Sequence, residues 1–198
     1  MKIVLATNNR HKAEEFKSML AQLYGKTELY TLSDIGFAGD IEEDGSTFEE
    51  NALIKARAAA SADYLSIADD SGICVDALGG APGIYSARYA GEHGNDKKNN
   101  EKLLYELRNV PAERRGAHYV CAIACVLPDG ESFTVTGKAY GRVLTEEHGD
   151  GGFGYDPLFL PDGQSLTWGE LDEAEKNKTS HRRKAIELFA AELKKRIG

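Results

Sequence analysis

Residues 118–144 read HYVCAIACVLPDGESFTVTGKAYGRVL, two strand-like runs separated by the turn sequence PDG. Apolar and β-branched residues dominate both runs, and Pro, Asp and Gly together are typical of a turn, so the stretch predicts two strands joined closely. A connection this short joins antiparallel strands, whereas parallel strands need a longer crossover. The stretch therefore predicts the hairpin-type part of a β-sheet.

The rest of the chain predicts strands that alternate with helices. Short apolar runs indicate strands, and apolar residues at helical spacing indicate helices. The predicted strands are 2–6, 27–32 and 65–72, the last running into a turn at Ser71-Gly72, and the predicted helices are 10–23, 47–62, 96–108 and about 180–197. Crossover-type and hairpin-type strands together indicate an α/β fold with a mixed central β-sheet flanked by helices.

Composition excludes several classes of protein. The 198 residues fit one domain or two closely joined lobes, and 41% hydrophobic with 28% charged residues is ordinary for a globular chain. A net charge of −8 argues against binding to nucleic acid or to an anionic membrane. The first residues are too briefly apolar for a signal peptide, and three cysteines indicate reduced thiols, so we expect a cytoplasmic protein.

Basic residues crowd the predicted starts of two helices, in LATNNRHK (5–12) and SHRRK (180–184). Positive charge there opposes the helix dipole, which favours anions at a helix N-terminus. A phosphate docked on the free backbone N–H groups would reverse that balance, so both segments are candidate phosphate sites. A solvated basic surface is the alternative for each segment, with Asn8 or Asn9 capping the first helix.

Acidic side chains mark two further places. Asp69 and Asp70 end an apolar strand, where two desolvated carboxylates would repel each other and Mg²⁺ would offset the repulsion. Adjacent strand residues point to opposite faces, so both reach one site only if the chain turns at once. The acidic run 42–44 is a metal-ligand candidate if it meets Asp70 in space, and Lys55 could reach a phosphate. A turn-forming pair at the surface is the alternative for Asp69-Asp70, whereas a solvated acidic loop is the usual interpretation of a run such as 42–44.

A glycine-rich stretch, GDGGFGYDP, occupies residues 149–157. Glycines let backbone approach a ligand closely, and Phe153 and Tyr155 offer flat faces on which a planar base could stack. The alternative is a glycine-rich hairpin end whose aromatic side chains belong to the core.

These segments occur together, and in this order, in the inosine triphosphate pyrophosphatase family, which the chain resembles from LATNN to SHRRK. ADDSG, GGAPGIYSARYAG, GGFGYDP and EKN…SHR are similar to the motifs of that family. The resemblance implies a homodimer of one ITPase-like domain over 1–198, with two lobes and a cleft between them. It also implies Mg²⁺-dependent hydrolysis of ITP, dITP, XTP and dXTP to the nucleoside monophosphate and pyrophosphate.

The resemblance also implies roles for single residues. Asp70 would accept the proton of the attacking water and would bind the metal with Glu42, although the loop EEDG leaves Glu43 as an alternative. Thr7 to Lys12 and Lys55 would hold the triphosphate, and 153–156 the base and sugar. The implied substrate-binding residues are Thr7, Asn8, Asn9, Arg10, His11, Lys12, Lys55, Ser71, Phe153, Gly154, Tyr155, Asp156, Lys176, His181 and Arg182. Lys176, His181 and Arg182 would read the purine 6-oxo group.

Three rival functions remain open at this stage. A nucleotide-binding regulator would bind without turnover, and the Asp69-Asp70 pair argues against it. A Maf-like hydrolase would act on other nucleotides, and the His181-Arg182 pair and the FGYD segment favour purines instead. A Mg²⁺-dependent phosphomonoesterase would release phosphate, so the identity of the product separates it from a pyrophosphatase.

Overall fold

The computed structural model describes residues 2–7, 9–24 and 28–197, with the side chains of 10, 11 and 22–24 outside the described set. Its strands are β1 (Lys2–Leu5), β2 (Glu28–Thr31), β3 (Leu65–Val75), β4 (Gly116–Val126), β5 (Ser132–Val143) and β6 (Phe159–Pro161). Its helices are α1 (Arg10–Tyr24), α2 (Phe48–Ala58), α3 (Asp96–Leu107), α4 (Glu173–Thr179) and α5 (His181–Ile197).

All six strands belong to one sheet with the order β2-β1-β3-β4-β5-β6. β1 is parallel to both of its neighbours, with Ile3 opposite Leu29 on β2 and opposite Leu65 on β3. β5 and β6 are antiparallel, with Arg142 opposite Leu160. The sheet is mixed and helices join its parallel strands, which confirms the predicted α/β class.

The chain divides into two compact units. The first comprises Met1–Asp70, Cys121–Gly137 and Arg182–Gly198, and the second comprises Ser71–Val120 and Lys138–His181. The core of the first unit is aliphatic and aromatic, with fully buried Ile3, Phe16, Ile67, Cys121 and Phe189. The core of the second is richer in aromatic rings and contains Ile73, Leu103, Tyr119, Phe159 and Trp168. The single two-lobed domain and its cleft stay predictions.

The long elements agree with the patterns that predicted them. Thr47 caps α2 by accepting the Glu50 N–H at 3.1 Å, as the sequence indicates. The predicted hairpin is present, with the Leu127 N–H donating to the Glu131 carbonyl at 2.8 Å across the turn. Cys121 and Cys125 are buried free thiols. Within the described residues, every helix is too short or too polar to cross a bilayer.

The turn predicted at Ser71-Gly72 is wrong, because β3 continues through both residues to Val75. Gly72 serves close packing instead: a Cβ there would lie 2.4 Å from the Gly83 carbonyl oxygen and 2.4 Å from Ser86 Oγ. The Ser86 hydroxyl accepts the Ile73 N–H at 3.0 Å and donates to the Gly83 carbonyl at 2.6 Å. The loop that contains Gly83 and Ser86 is therefore bonded directly to the backbone of β3.

We expect Ser86→Ala to lower the free energy of unfolding by about 1–3 kcal/mol, because it leaves the buried Ile73 N–H without its acceptor. Ser46→Ala is the matched control, since it also removes a bonded serine hydroxyl, but at an exposed position. The control should stay within about 0.5 kcal/mol of the parent chain. Urea unfolding of both variants measures the difference, and equal losses would show that the Ser86 contact does not stabilise β3.

Candidate active site

The two adjacent aspartates of β3 have different partners. Asp69 Oδ2 lies 3.0 Å from Lys12 Nζ and 3.4 Å from Arg182 Nη2. Asp70 Oδ1 lies 3.4 Å from Lys55 Nζ, and its Oδ2 accepts a hydrogen bond from Asn51 Nδ2 at 3.2 Å. Because the strand continues straight through them, their side chains leave opposite faces of the sheet, as strand geometry requires.

Asp69 is the more enclosed of the two, at 1% exposed, and it is held by two cations. Burial alone would raise the pKa of Asp69, but Lys12 and Arg182 outweigh burial and hold that pKa well below its usual range. Arg182 is also 1% exposed and forms a second ion pair, with Glu15 of α1. Asp69 therefore belongs to a network of two acids and two bases, Asp69, Glu15, Lys12 and Arg182.

The pKa of Asp70 is shifted in the opposite direction from that of Asp69. Burial raises the pKa of Asp70 above its usual value, and the pull of Lys55 and Lys12 in the other direction does not cancel the effect. The pKa of Lys55 is also raised: burial would lower it, but Asp70, Asp69 and Glu43 outweigh burial. A carboxylate that its surroundings compensate incompletely is a candidate for proton transfer or for binding a cation.

Glu43 is the acidic-loop residue that joins this cluster. Its Oε2 accepts a hydrogen bond from Lys55 Nζ at 2.8 Å, so Lys55 bridges Glu43 and Asp70. Asn51 ties the same loop to Asp70, because its Oδ1 accepts the Gly45 N–H at 2.9 Å. Glu42 is exposed, and within the described chain no hydrogen bond or ion pair links it to Asp70 or Lys55.

The cluster fits a magnesium ion by its chemistry. No group of three or more His, Cys, Asp or Glu side chains in the described residues is arranged to hold a metal. Magnesium, however, is usually bound through one or two carboxylates and completed by substrate phosphates and waters. Asp70 and Glu43 supply two such carboxylates, and a cation beside them would offset the cost of burying the ionised form of Asp70.

The start of α1 is organised by its own side chains. Asn9 caps the helix, since its Oδ1 accepts the Lys12 N–H at 3.1 Å, and Thr7 Oγ1 accepts the Asn9 N–H at 3.1 Å. Asn8 lies outside the described residues, and so do the side chains of Arg10 and His11. The contact of this segment with phosphates stays a prediction.

In the second unit, the turn Phe153–Asp156 is organised around a buried ion pair. Asp156 Oδ2 lies 2.6 Å from Lys176 Nζ and accepts the Phe153 N–H at 2.9 Å. The Lys176 ammonium lies 4.4 Å from the centre of the Phe153 ring. Asp156 and Lys176 are both buried, so the carboxylate fixes the lysine and the turn together.

The aromatic residues of the second unit differ in their availability to a ligand. Tyr155 is buried and its hydroxyl donates to the Ser86 carbonyl at 2.8 Å, so its ring belongs to the core. Phe153 and Ser71 are half-buried. His181 is buried in a stack, with its ring centre 4.8 Å from Tyr119 and 5.4 Å from Trp168.

Sequence reasoning missed four residues that hold the site: Glu15, Asn51, Ser86 and Trp168. Glu15 follows Lys12 by three residues and therefore lies on the same helix face, as Asn51 does one turn before Lys55. That spacing was available in the sequence for both residues. Nothing in the sequence indicates that a Ser86 carbonyl would accept from Tyr155, or that Trp168 would stack on His181.

The fold and these clusters together define a class. The protein combines a mixed α/β sheet with a cluster in which Lys55 of α2 bridges Asp70 of β3 and Glu43 of the preceding loop. Elsewhere in the chain, Lys176 lies against an aromatic turn. Ionisable groups with such shifted pKa values are typical of enzyme active sites. The chain belongs to the Ham1 family, whose match covers residues 3–192.

Individual relatives span nearly the whole chain. A dITP/XTP pyrophosphatase of Clostridium perfringens is 47% identical over 98% of this chain and 97% of its own length. The solved structure of the Staphylococcus aureus Ham1 protein is similar with a TM-score of 0.87 and 43% identity, over 99% of this chain and 100% of that one. The crystal structure of a nucleoside-triphosphatase / dITP/XTP pyrophosphatase from Mycobacterium abscessus is similar with a TM-score of 0.77 and 41% identity, over 96% of this chain and 98% of that one.

The two aspartates are expected to have opposite effects on stability at pH 7. Asp69→Asn should lower the free energy of unfolding by about 3–5 kcal/mol, because Lys12 and Arg182 both lose a carboxylate partner in a buried site. Asp70→Asn should leave stability unchanged or higher in metal-free buffer, since a folded pKa above the unfolded one means that the ionised group opposes folding.

The pH dependence gives a second measurement on the same variants. The contribution of Asp69 is complete above its unfolded pKa, about 3.9, and is lost as the pH falls toward its lower folded pKa. The difference between the parent chain and Asp69→Asn should therefore shrink below about pH 4 in urea unfolding. Equal destabilisation by both substitutions at pH 7 would contradict the assigned difference between the two faces of β3.

Proposed function

We propose that the chain hydrolyses the non-standard purine nucleoside triphosphates ITP, dITP, XTP and dXTP to the monophosphate and pyrophosphate. The observation that carries the proposal is the Asp70–Lys55–Glu43 cluster, an incompletely compensated carboxylate beside a cation and a second acid. The relative of Clostridium perfringens, a dITP/XTP pyrophosphatase at 47% identity over nearly the full length, supports the same substrate class.

Asp70 acts as the proton acceptor for the attacking water. Burial raises the pKa of its carboxyl group, which makes the carboxylate a stronger base than that of an exposed aspartate and suits it to general-base catalysis. Asn51 and Lys55 each bond to one of its oxygens and so fix the orientation of the carboxyl group. A base held in one orientation needs little rearrangement when it accepts the proton.

Asp70 together with Glu43 would hold magnesium. The resemblance favours Glu42 and leaves Glu43 as the alternative, whereas the bridge through Lys55 supports Glu43; Glu42 stays a prediction. When bound, the ion would supply positive charge that offsets the charge of the phosphates, which phosphoryl transfer requires. Lys55 supplies further positive charge to the departing pyrophosphate, a role that its raised pKa supports because it remains protonated.

The triphosphate is bound at the start of α1, by residues 7–12, where backbone N–H groups and positive charge favour an anion. Lys12 contributes its ammonium, which Asp69 orients from within the first unit. Phosphate binding through Asn8, Arg10 and His11 is part of the same proposal and rests on the resemblance.

The base is read in the second unit by 153–156, Lys176 and His181, with Ser71 contacting the substrate. A donor aimed at a 6-oxo group meets a 6-amino donor in adenine, and this mismatch rejects ATP. Lys176 is a fitting donor, since Asp156 holds its ammonium beside the Phe153 ring. Arg182, which the resemblance also assigns to the base, is engaged by Glu15 and Asp69, so its part in base reading stays a prediction.

We also infer a homodimer located in the cytoplasm, on the strength of the resemblance. Sedimentation velocity tests the first point: one species near twice the chain mass of 21.6 kDa is expected, and a monomer at micromolar concentration would contradict it.

Product analysis tests the activity itself. With ITP and Mg²⁺ we expect equal amounts of IMP and pyrophosphate, and Asp70→Asn should lower kcat by about 10²–10⁴-fold, the range of a lost general base. Asp129→Asn, in the exposed turn between β4 and β5, is the control and should keep full activity. Release of orthophosphate would favour a phosphomonoesterase, and binding without turnover would favour a regulator.

A paired substitution tests the metal ligand. Glu43→Gln should raise the Mg²⁺ concentration for half-maximal rate by about tenfold or more, because one carboxylate of the pair is lost. Glu42→Gln, one residue away on the exposed side of the loop, should leave that concentration unchanged. The reverse outcome would assign the metal to Glu42, and full turnover in excess EDTA would remove the metal from the reaction altogether.

A further inference from the structure

The turn at residues 153–155 is fixed to the second unit by a carboxylate that lies far from it in sequence. The Gly154 N–H donates to Asp96 Oδ2 at 2.7 Å, across 58 residues of chain. Asp96 is the first residue of α3 and is half-buried. A charge-assisted bond of this length is among the stronger hydrogen bonds in proteins, so the contact holds the backbone of the turn firmly.

The carboxylate of Asp96 is not required to cap α3. Asn95 performs that function, since its Oδ1 accepts the Lys98 N–H at 3.1 Å. Asp96 nevertheless stands in the first turn of the helix, where the helix dipole favours an acidic residue. The helix thus presents a carboxylate acceptor whose bond goes to Gly154.

Three consecutive residues of the turn are each anchored, and each anchor is of a different kind. The Phe153 N–H donates to Asp156 within the turn, and the Tyr155 hydroxyl donates to the Ser86 carbonyl. Gly154 adopts φ +64°, a left-handed conformation that favours glycine, and it has no side chain by which to be held. Gly154 can be anchored only through its backbone, and the hydrogen bond that its N–H donates to Asp96 provides that anchor.

The side-chain anchor of the turn, the Tyr155 hydroxyl, is kept in its donating form. The pKa of Tyr155 is raised, first by burial and then by Tyr89 and by the carboxylate of Asp96. The Tyr155 hydroxyl therefore stays protonated and continues to donate to Ser86, so both anchors act on the turn together.

We propose that Asp96 is a positioning residue for base recognition, which holds the backbone of 153–155 so that Phe153 and Lys176 meet the purine in one geometry. The inference rests on the proposed function, because it concerns how that substrate is bound. It predicts an effect on affinity, KM and Kd, with little effect on kcat, since proton transfer at Asp70 uses other residues.

The single tryptophan gives a readout that does not depend on turnover. Trp168 is the one tryptophan of the sequence, and its ring centres lie 5.4 Å from His181 and 5.6 Å from Lys176 Nζ. Its fluorescence should respond when IMP, the expected product, binds beside Lys176. Titration with IMP then gives Kd, and initial rates with ITP give KM and kcat.

We expect Asp96→Ala to raise Kd for IMP and KM for ITP by about tenfold, as for the loss of one charge-assisted bond, with kcat nearly unchanged. Asp96→Asn keeps an oxygen that can accept the Gly154 N–H and should restore most of the affinity. Asn95→Ala is the matched control: it removes the cap of the same helix and should lower the melting temperature while Kd and KM stay at their parent values.

An unchanged Kd and KM in Asp96→Ala would overturn the proposal, and so would an equal rise in Asn95→Ala, which would reduce Asp96 to a residue that stabilises α3. If Asp96→Ala does not fold, Asp96→Ser carries the same test, because its shorter side chain can support the helix start without reaching Gly154 in the same way. A parent chain that neither binds IMP nor hydrolyses ITP would overturn the proposed function itself. An active parent chain whose Kd and KM do not change on substitution of Asp96 would overturn only the proposal for Asp96.

Discussion

Asp69 and Asp70 are ionisable neighbours in a buried strand, and the two-residue period of a strand sends their side chains to opposite faces. Each carboxylate loses hydration there, and a buried charge persists only where other charges or hydrogen bonds compensate it. In the first unit, Lys12 and Arg182 compensate Asp69 on one face of the sheet. Lys55 and Asn51 contact Asp70 on the other face. These partners belong to α1, α2 and α5, so three helices of the first unit have polar contacts with β3.

The neighbouring cations offset the burial of Asp69 more fully than that of Asp70. This difference assigns a structural role to Asp69 and a chemical role to Asp70. Asp69 is compensated fully, so its pKa falls and it remains a fixed charge that anchors Lys12 and Arg182. Asp70 is compensated incompletely, so its pKa rises and the carboxylate retains the capacity to take up a proton or a cation. Groups left in this condition cluster at functional sites, and they lower the stability of the fold that carries them.

Much of the fold could be predicted from the sequence, and less of the site. Long elements such as α2 and the β4–β5 hairpin have clear periodicity and clear capping or turn residues. The strand β6 has three residues and α4 has seven, too few for a periodic pattern to show. The Ser71-Gly72 turn was wrong because a glycine indicates a turn and close packing equally, and the distinction depends on which backbone passes it.

The candidate residues themselves were visible, but their partners were not. Nothing local in SHRRK indicates that Arg182 would pair with Glu15 and Asp69, because that pairing depends on how α1 and α5 pack on β3. In the same way, EEDG does not indicate which glutamate turns toward Lys55. Pairings between residues far apart in sequence are properties of tertiary packing, and they decide which of several plausible charges does chemistry.

A crystal structure with Mn²⁺ and a non-hydrolysable dITP analogue tests this account most directly. Anomalous scattering would locate the metal without reference to activity. We expect a metal ion whose protein ligands are oxygens of Asp70 and Glu43, with Asp69 still paired to Lys12 and Arg182. A metal ion bound to Asp69, or a Glu43 that remains bonded to Lys55 while the metal lies elsewhere, would contradict the division of roles between the two faces of β3.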